Sequence, residues 1–364
     1  MSAGFHGSYR EREVTFLLKP LNLELISDIQ EKERLIQSGQ RHYSEILGLE
    51  HLPSAAYLSL FHEAVHHNVR RMARDLVILA RRIRAVRPHQ VTLVSLARAG
   101  TPIGVLLRYL LLELMQLDAP HYSISIVRDR GIDSNALDHI LAHREASSLV
   151  FIDGWTAKGS ITQELQRSLA SFETTRGIKL PSELFVLSDL AGVAHACGTT
   201  QDYLIPSALL NATVSGLISR SVLNHQIGPQ DFHGCVYYSQ WLSTDLSQWF
   251  VQRGLSEGRN FYSQWLAEPL PNADLKEARQ ACTDLIKKVS VSHDVPDVNL
   301  IKPGIGESTR ALLRRTPKLI RLRDPQAPEV RHLVQLAHER QVLLEVDPSQ
   351  PLHAVALIRN LADG

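Results

Sequence analysis

Short unbroken apolar runs alternate along this chain with longer segments in which apolar residues recur every three or four positions. The first pattern is that of strands buried on both faces, the second that of helices with one apolar face. Residues 14–18 read as a short strand and 28–47 as a charged helix, followed by a long amphipathic helix over 55–85 that stops at Arg87-Pro88. Strands over 91–96, 122–127 and 150–153 then alternate with helices over 103–117 and 161–172, and a further strand, 184–187, leads to Asp189. This order predicts an α/β fold with a mainly parallel sheet and helices on both faces, and ligands at the carboxyl ends of its strands. Segment 214–223 reads as a helix or strand near the rim, and a helix over 273–289 runs into polar, proline-containing 290–297. Beyond it come a glycine turn at 302–307, a basic helix, a strand at 319–322, a helix at 329–339, a strand at 342–346 and a last helix. The expected organisation is a large unit over 1–290, a linker over 291–300 and a small α/β unit over 301–364.

Composition narrows the class. Of 364 residues, 44% are hydrophobic and 21% charged, as in an ordinary globular protein. A net charge of +1 is not that of a polycation, so nucleic-acid binding needs a local patch. Cys197, Cys235 and Cys282 are odd in number and widely spaced, which argues against a disulfide framework and for a reducing cytoplasm. The most apolar stretch, 103–117, is interrupted by Arg108 and Glu113 and is too short to cross a bilayer, so neither a membrane partner nor a secretory route is expected. Homo-oligomerisation is left open.

The richest segment runs from Val150 through Asp153-Gly154-Trp155-Thr156-Ala157-Lys158-Gly159-Ser160, a strand ending in a carboxylate and a Gly/Ser/Thr loop that opens a helix. Backbone N–H groups in such a loop, with the positive end of the helix, suit a phosphate. A Walker A loop does not fit, because Lys158 precedes Gly159; the dinucleotide fingerprint Gly-x-Gly-x-x-Gly is absent. Upstream, strand 91–96 runs into Ala97-Arg98-Ala99-Gly100, and strand 122–127 into Arg128-Asp129-Arg130-Gly131. In that order the three loops resemble those of the type I phosphoribosyltransferases. The resemblance implies that Ala157 to Ser160, with Thr156, hold a 5'-phosphate, that Asp153 binds ribose, and that Ala97, Arg98, Ala99 and Gly100 hold pyrophosphate. It further implies a catalytic loop carrying Arg128 and Arg130, although these arginines could equally pair with Asp129 and Asp133. Gly154 departs from the pattern, standing where the family has a second acidic residue.

The C-terminal segment Lys302-Pro303-Gly304-Ile305-Gly306-Glu307, continuing through Arg310, Arg314 and Arg315, is similar to the RNA-facing turn and helix of the Pelota and ribosomal L7Ae group, with Gly306 in place of an asparagine. Its cluster of cations suits a phosphate backbone. Aromatics between 201 and 265, Tyr203, Tyr237, Tyr238, Trp241 and Trp249 among them, form either an acceptor-binding hood or plain core. Two motifs read as decoys. His62-Glu63-Ala64-Val65-His66 has the zincin spacing without a third ligand, so no metal site is expected, and Cys235 sits in an apolar context that suits a structural thiol better than a nucleophile.

Taken whole, the chain resembles the phosphoribosyltransferase-Pelota fusions of bacterial tellurite-resistance and stress operons, a family also labelled cysteine protease StiP. The resemblance implies a type I phosphoribosyltransferase-like sheet plus a Pelota/L7Ae-like RNA-binding unit. It also implies an enzyme that uses Mg2+ to transfer ribose 5-phosphate from phosphoribosyl pyrophosphate (PRPP) to an unidentified base-like acceptor. Two other readings stay open: a nucleotide-sensing RNA-binding protein without catalysis, which Gly154 favours, and a cysteine protease.

Overall fold

In the computed structural model, which describes residues 5–315 and 317–359, strands and helices alternate through the first two hundred residues much as the apolar pattern predicts. Strands β1 (Thr15–Leu17) and β2 (Lys19–Pro20) precede helix α1 (Ile29–Gln37), whose first turn is capped by the Asp28 carboxylate accepting from Gln30 N–H at 2.8 Å. The helix expected over 28–47 stops there. Gly39 adopts a left-handed φ of +73° that ends it, and residues 43–45 form a turn instead. Helix α2 (Ala55–Val86) starts at the Ser54 cap and lies against one face of the main sheet.

Then follow β3 (Thr92–Leu96), α3 (Gly100–Met115), β4 (His121–Ile124), β5 (Ile126–Val127), β6 (Gly131–Ile132) and α4 (Ser134–Leu141). They lead into β7 (Leu149–Thr156), α5 (Ser160–Arg176), β8 (Leu184–Asp189) and β9 (Ala196–Thr199). Six strands pair in the order β1-β4-β3-β7-β8-β9, every contact parallel. Side chains alternate between the faces as the strand period requires. Val150 and Ile152 of β7, with Phe185 and Leu187 of β8, join the core under α2 and α3, while Leu149, Phe151, Leu184 and Val186 join the core under α4 and α5. The strand expected over 122–127 divides at Ser125: β5 leaves the sheet and pairs antiparallel with β6, making a hairpin around 128–130.

Segment 214–223 forms no regular element. Gly216 and Leu217 both take positive φ, and the segment is tied down by single bridges, Ile218 to Tyr237 and Val222 to Gly234. Strand β10 (Gly234–Cys235) pairs with β2, and helices α6 (Ser247–Gly258), α7 (Tyr262–Ala267) and α8 (Leu275–Ser292) follow. The C-terminal domain has its own mixed sheet, built from β11 (Ile301–Pro303), helix α9 (Ile305–Arg314), β12 (Pro317–Leu322), α10 (Arg331–Glu339), β13 (Leu343–Val346) and β14 (Ala354–Ile358), in the order β11-β14-β12-β13. The last helix expected from sequence is the strand β14. All five of its residues are buried between two antiparallel neighbours, so its apolar run is that of a central strand and has no helical stripe. Among the described residues no helix is long and apolar enough to cross a membrane.

Candidate functional site

The order of the main sheet places two loops side by side. From β3 the chain turns to β4 on one flank, and from β7 it turns to β8 on the other, which leaves a crevice at the carboxyl ends of β3 and β7. The loop 97–100 and the loop after β7 meet in that crevice. Their contact depends on two missing side chains: a Cβ on Gly100 would lie 2.5 Å from Ile152 O, and one on Gly154 would lie 3.1 Å from Ala99 O. The space of a second acidic side chain at 154 is thus narrowed by the 97–100 backbone.

Strand β7 does not end at Asp153. It keeps pairing through Trp155 with Ser188 and Thr156 with Asp189, so Asp153 and Trp155 project from one face and the turn shrinks to 157–159. Gly159, at φ +79°, redirects the chain into α5, which begins at Ser160. Two anchors hold this turn. Ala157 O accepts from Cys282 Sγ at 3.0 Å, and Lys158 Nζ donates to Val298 O at 2.8 Å and to Ile301 O at 2.9 Å.

A cavity of about 1040 Å³ opens against this turn. Arg98, Asp153 and Trp155 to Ser160 form one wall. Lys302, Glu307, Arg310 and Arg315 of the C-terminal domain form another, and Tyr43, Glu50, Arg128 and Arg220 close the side. The phosphate-loop residues and most of the RNA-facing ones therefore share one space.

Each expected residue has a defined place there. Arg98 is buried and already engaged, donating to Glu50 Oε1 at 2.7 Å and to Ile218 O at 2.8 Å. Ala97 N–H donates to Ile124 O, and Ala99 supplies the carbonyl facing Gly154. Arg128 reaches the cavity, with Asp129 and Asn299 each at 3.3 Å. Arg130 points away and pairs with Glu45 at 2.5 Å, so the two arginines of the hairpin are not brought together. Asp189, expected among the ligand-facing groups, instead accepts from the N–H groups of Ala191 and Ala194 and shapes the turn after β8.

In the C-terminal domain, Gly304 takes φ +88°, and a Cβ there would strike Leu190 Cδ1 at 2.4 Å. Asp202 spans the junction, accepting from Ile305 N–H at 2.9 Å and His353 N–H at 2.8 Å. Helix α9 is thereby laid across Trp155. Gly306 lies against the indole, where a Cβ would be 3.0 Å from Cε2; Trp155 Nε1 donates to Glu307 Oε1 at 3.3 Å, and the Arg310 guanidinium sits 5.5 Å from the ring centroid. Arg310 also pairs with Glu307 at 3.1 Å, and Arg315 with Glu33 at 2.8 Å. The Arg314 side chain lies outside the described residues.

Burial sets the charges. It pushes the Asp153 carboxyl up to about 7, against the opposing Gly154 N–H (2.7 Å) and Arg310. Burial, reinforced by Lys158 nearby, brings the Lys302 ammonium down to about 8. Glu307 is held below the usual carboxylate range because Arg310, Lys302 and Lys158 outweigh its own desolvation. The site is thus cationic, with one carboxyl that titrates near neutrality. Among the described residues no group of three or more His, Cys, Asp or Glu side chains could hold a metal ion. His62 and His66 are both exposed on α2.

Residues 7–254 match the family described as "tellurite-like stress resistance cysteine protease StiP", and residues 280–360 match the PELOTA RNA binding domain. A protein of Acinetobacter baylyi (strain ATCC 33305 / BD413 / ADP1), named cysteine protease StiP, is 41% identical over 380 residues, covering 100% of this chain and 97% of its own length. The chain belongs to the StiP family. Membership corrects the enzyme class expected from the three loops: the family description and the relative's name both give a cysteine protease, not a phosphoribosyltransferase. The loops misled because a strand, a glycine-bearing turn and a helix at a topological switch point make an anion-binding crevice whatever chemistry a family runs there.

The StiP-family description directs attention to the three thiols. All are buried and free of disulfides. Burial pushes Cys235 up to about 12, Cys197 to about 11 and Cys282 to about 11. Cys282 is the one beside the cavity wall, through its bond to Ala157 O. Sequence reasoning missed Trp155, Glu50 and Arg220 as lining groups. Trp155 carried a signal, since it stands two residues beyond Asp153 on the same strand face; the Arg98–Glu50 pair spans 48 residues and carried none.

Proposed function

We propose that this StiP-family chain works in stress resistance by holding a phosphorylated, ribose-bearing ligand in the cavity and engaging RNA with its C-terminal domain, as a sensor that leaves the ligand unchanged. The observation that supports this most is the shared cavity, where the 153–160 segment faces Lys302, Glu307 and Arg310 of the segment matched to an RNA-binding domain. Cations on both walls favour an anion, and Asp153 suits a sugar hydroxyl as hydrogen-bond partner. Mg2+ would come with the ligand's phosphates, because the described residues gather no donor set of their own. Isothermal titration with AMP, ribose 5-phosphate and PRPP tests the reading. At least one is expected to bind and to be recovered intact, and Lys302→Ala to weaken it roughly tenfold; no binding by any of the three overturns it.

The full-length match to a protein named cysteine protease favours a second reading, proteolysis through a thiol. The raised thiols oppose it, since the thiolate is the nucleophile. Cleavage of unfolded casein that disappears in Cys282→Ala or Cys235→Ala would decide for the protease. The sensor reading expects no cleavage, and slow modification of all three thiols by a thiol reagent until the chain unfolds.

A further inference from the structure

We propose that the cavity receives the terminal phosphomonoester of a single-stranded RNA, so that the phosphorylated ribose ligand and the RNA are parts of one molecule. The inference rests on the reading above and names its ligand class.

The first argument is where the RNA-facing groups point. Gly306, Glu307 and Arg310 are packed on or over Trp155, and Lys302 lines the cavity. An RNA that meets these residues in this arrangement must meet them from inside the cavity. The Lys302 ammonium has neither a hydrogen bond nor an ion pair among the described residues, although most of its neighbouring cations are paired. Such an ammonium has one obvious partner, an anion entering from the open side.

The second argument is size and lining. At about 1040 Å³ the cavity slightly exceeds the roughly 300–1,000 Å³ usual for small-molecule pockets, and a single nucleotide leaves part of it empty. Trp155, Tyr43 and Trp241 are spread over its walls, and aromatic faces are what unpaired bases stack on, irrespective of sequence. A base-paired end would offer only the outer face of its terminal pair, whereas a single strand offers several separate bases.

The third is charge. A terminal phosphomonoester carries about −1.5 to −2 near neutral pH, by analogy with other phosphate monoesters, whereas an internal diester carries one negative charge. Lys158, Lys302 and Arg128 lie around the turn at 157–159, facing Asp153 and Glu307, with Asp153 titrating close to neutrality. A field of that sign rewards the more highly charged end over the middle of a strand.

The test uses the full chain and one short single-stranded RNA, labelled internally and made in three forms: 5'-phosphate, 3'-phosphate, and hydroxyl at both ends. Fluorescence anisotropy at fixed salt is expected to show at least tenfold tighter binding of one phosphorylated form than of the hydroxyl form. The nucleoside monophosphate with phosphate at that same end, AMP or 3'-AMP, is expected to displace it. Lys302→Ala should shrink the gap to less than about threefold and Lys302→Arg restore it, with melting curves confirming that both variants fold. Equal affinity for all three forms, or binding that neither nucleotide displaces, overturns the inference and moves the RNA to an outer surface. If AMP or ribose 5-phosphate binds while phosphorylated RNA does not, the inference falls and the proposed function stands; if nothing phosphorylated binds, both fall.

Discussion

Asp153 is pulled two ways: burial favours its neutral form, while Gly154 N–H and Arg310 favour the carboxylate, and burial wins. With its carboxyl pushed up to about 7, the residue is neutral below that pH and repels an anion above it. A charge about 10 Å from the anion, at an effective dielectric of about 20, contributes roughly 1.5 kcal/mol. Sulfate, whose own charge is constant over this range, is therefore expected to bind roughly tenfold more tightly at pH 6 than at pH 8. Asp153→Asn should remove the part of that dependence centred near 7 and leave the part due to Lys302, near 8. Titration calorimetry across the range checks this; a flat wild-type profile would refute the assignment. The same shift costs the folded state stability that builds between about pH 4 and pH 7, as the unfolded carboxyl ionises first. Asn at 153 should therefore raise Tm at pH 8 and leave it unchanged near pH 4. None of this was legible in the sequence, where Asp153 is simply a carboxylate after a strand: its burial comes from tertiary packing, and the cation that opposes it, Arg310, lies in the other domain.

At the scale of elements, the crevice is set by how closely two strand ends approach. Gly100 starts α3 with its Cα facing the Ile152 carbonyl, and a methyl group at 2.5 Å from that oxygen has to push the loop or β7 aside. Overpacking of this kind costs roughly 1–3 kcal/mol. Gly100→Ala is expected to lower stability by that amount in urea unfolding and to weaken AMP binding, because Ala99 and Arg98 move with the loop. A variant of wild-type stability and affinity would mean that the loop yields freely. The alternation of strands and helices was readable because parallel strands covered on both faces appear as apolar runs. Where reading failed, the deciding contacts were distant. β14 looks helical until it is placed between β11 and β12, and residues 40–47, past the stop at Gly39, are kept from continuing α1 by tertiary contacts as well, Arg130 to Glu45 and Arg128 N–H to Tyr43 Oη among them.

For the whole molecule, the junction between the large sheet and the C-terminal domain is fastened at Asp202, whose two oxygens take N–H donors from Ile305 and His353. Asp202→Ala leaves those donors without their acceptor and removes an N-terminal cap from α9, at about 1–2 kcal/mol. Hydrogen exchange is expected to speed up over 301–315 and at Trp155 while the core under α4 and α5 keeps its protection. Uniform acceleration across the chain would show instead that the two parts unfold as one.

The turn at 157–159 is riveted at two successive residues, Ala157 by a thiol and Lys158 by two carbonyls. It is three residues long and cannot swing without breaking those bonds. This side of the cavity, together with the start of β11 that Lys158 holds through Ile301 O, is consequently the fixed jaw, and the timing of capture and release falls to the hairpin bearing Arg128. Residence times should therefore respond to changes in that hairpin, and little to changes in the turn that meets the phosphate.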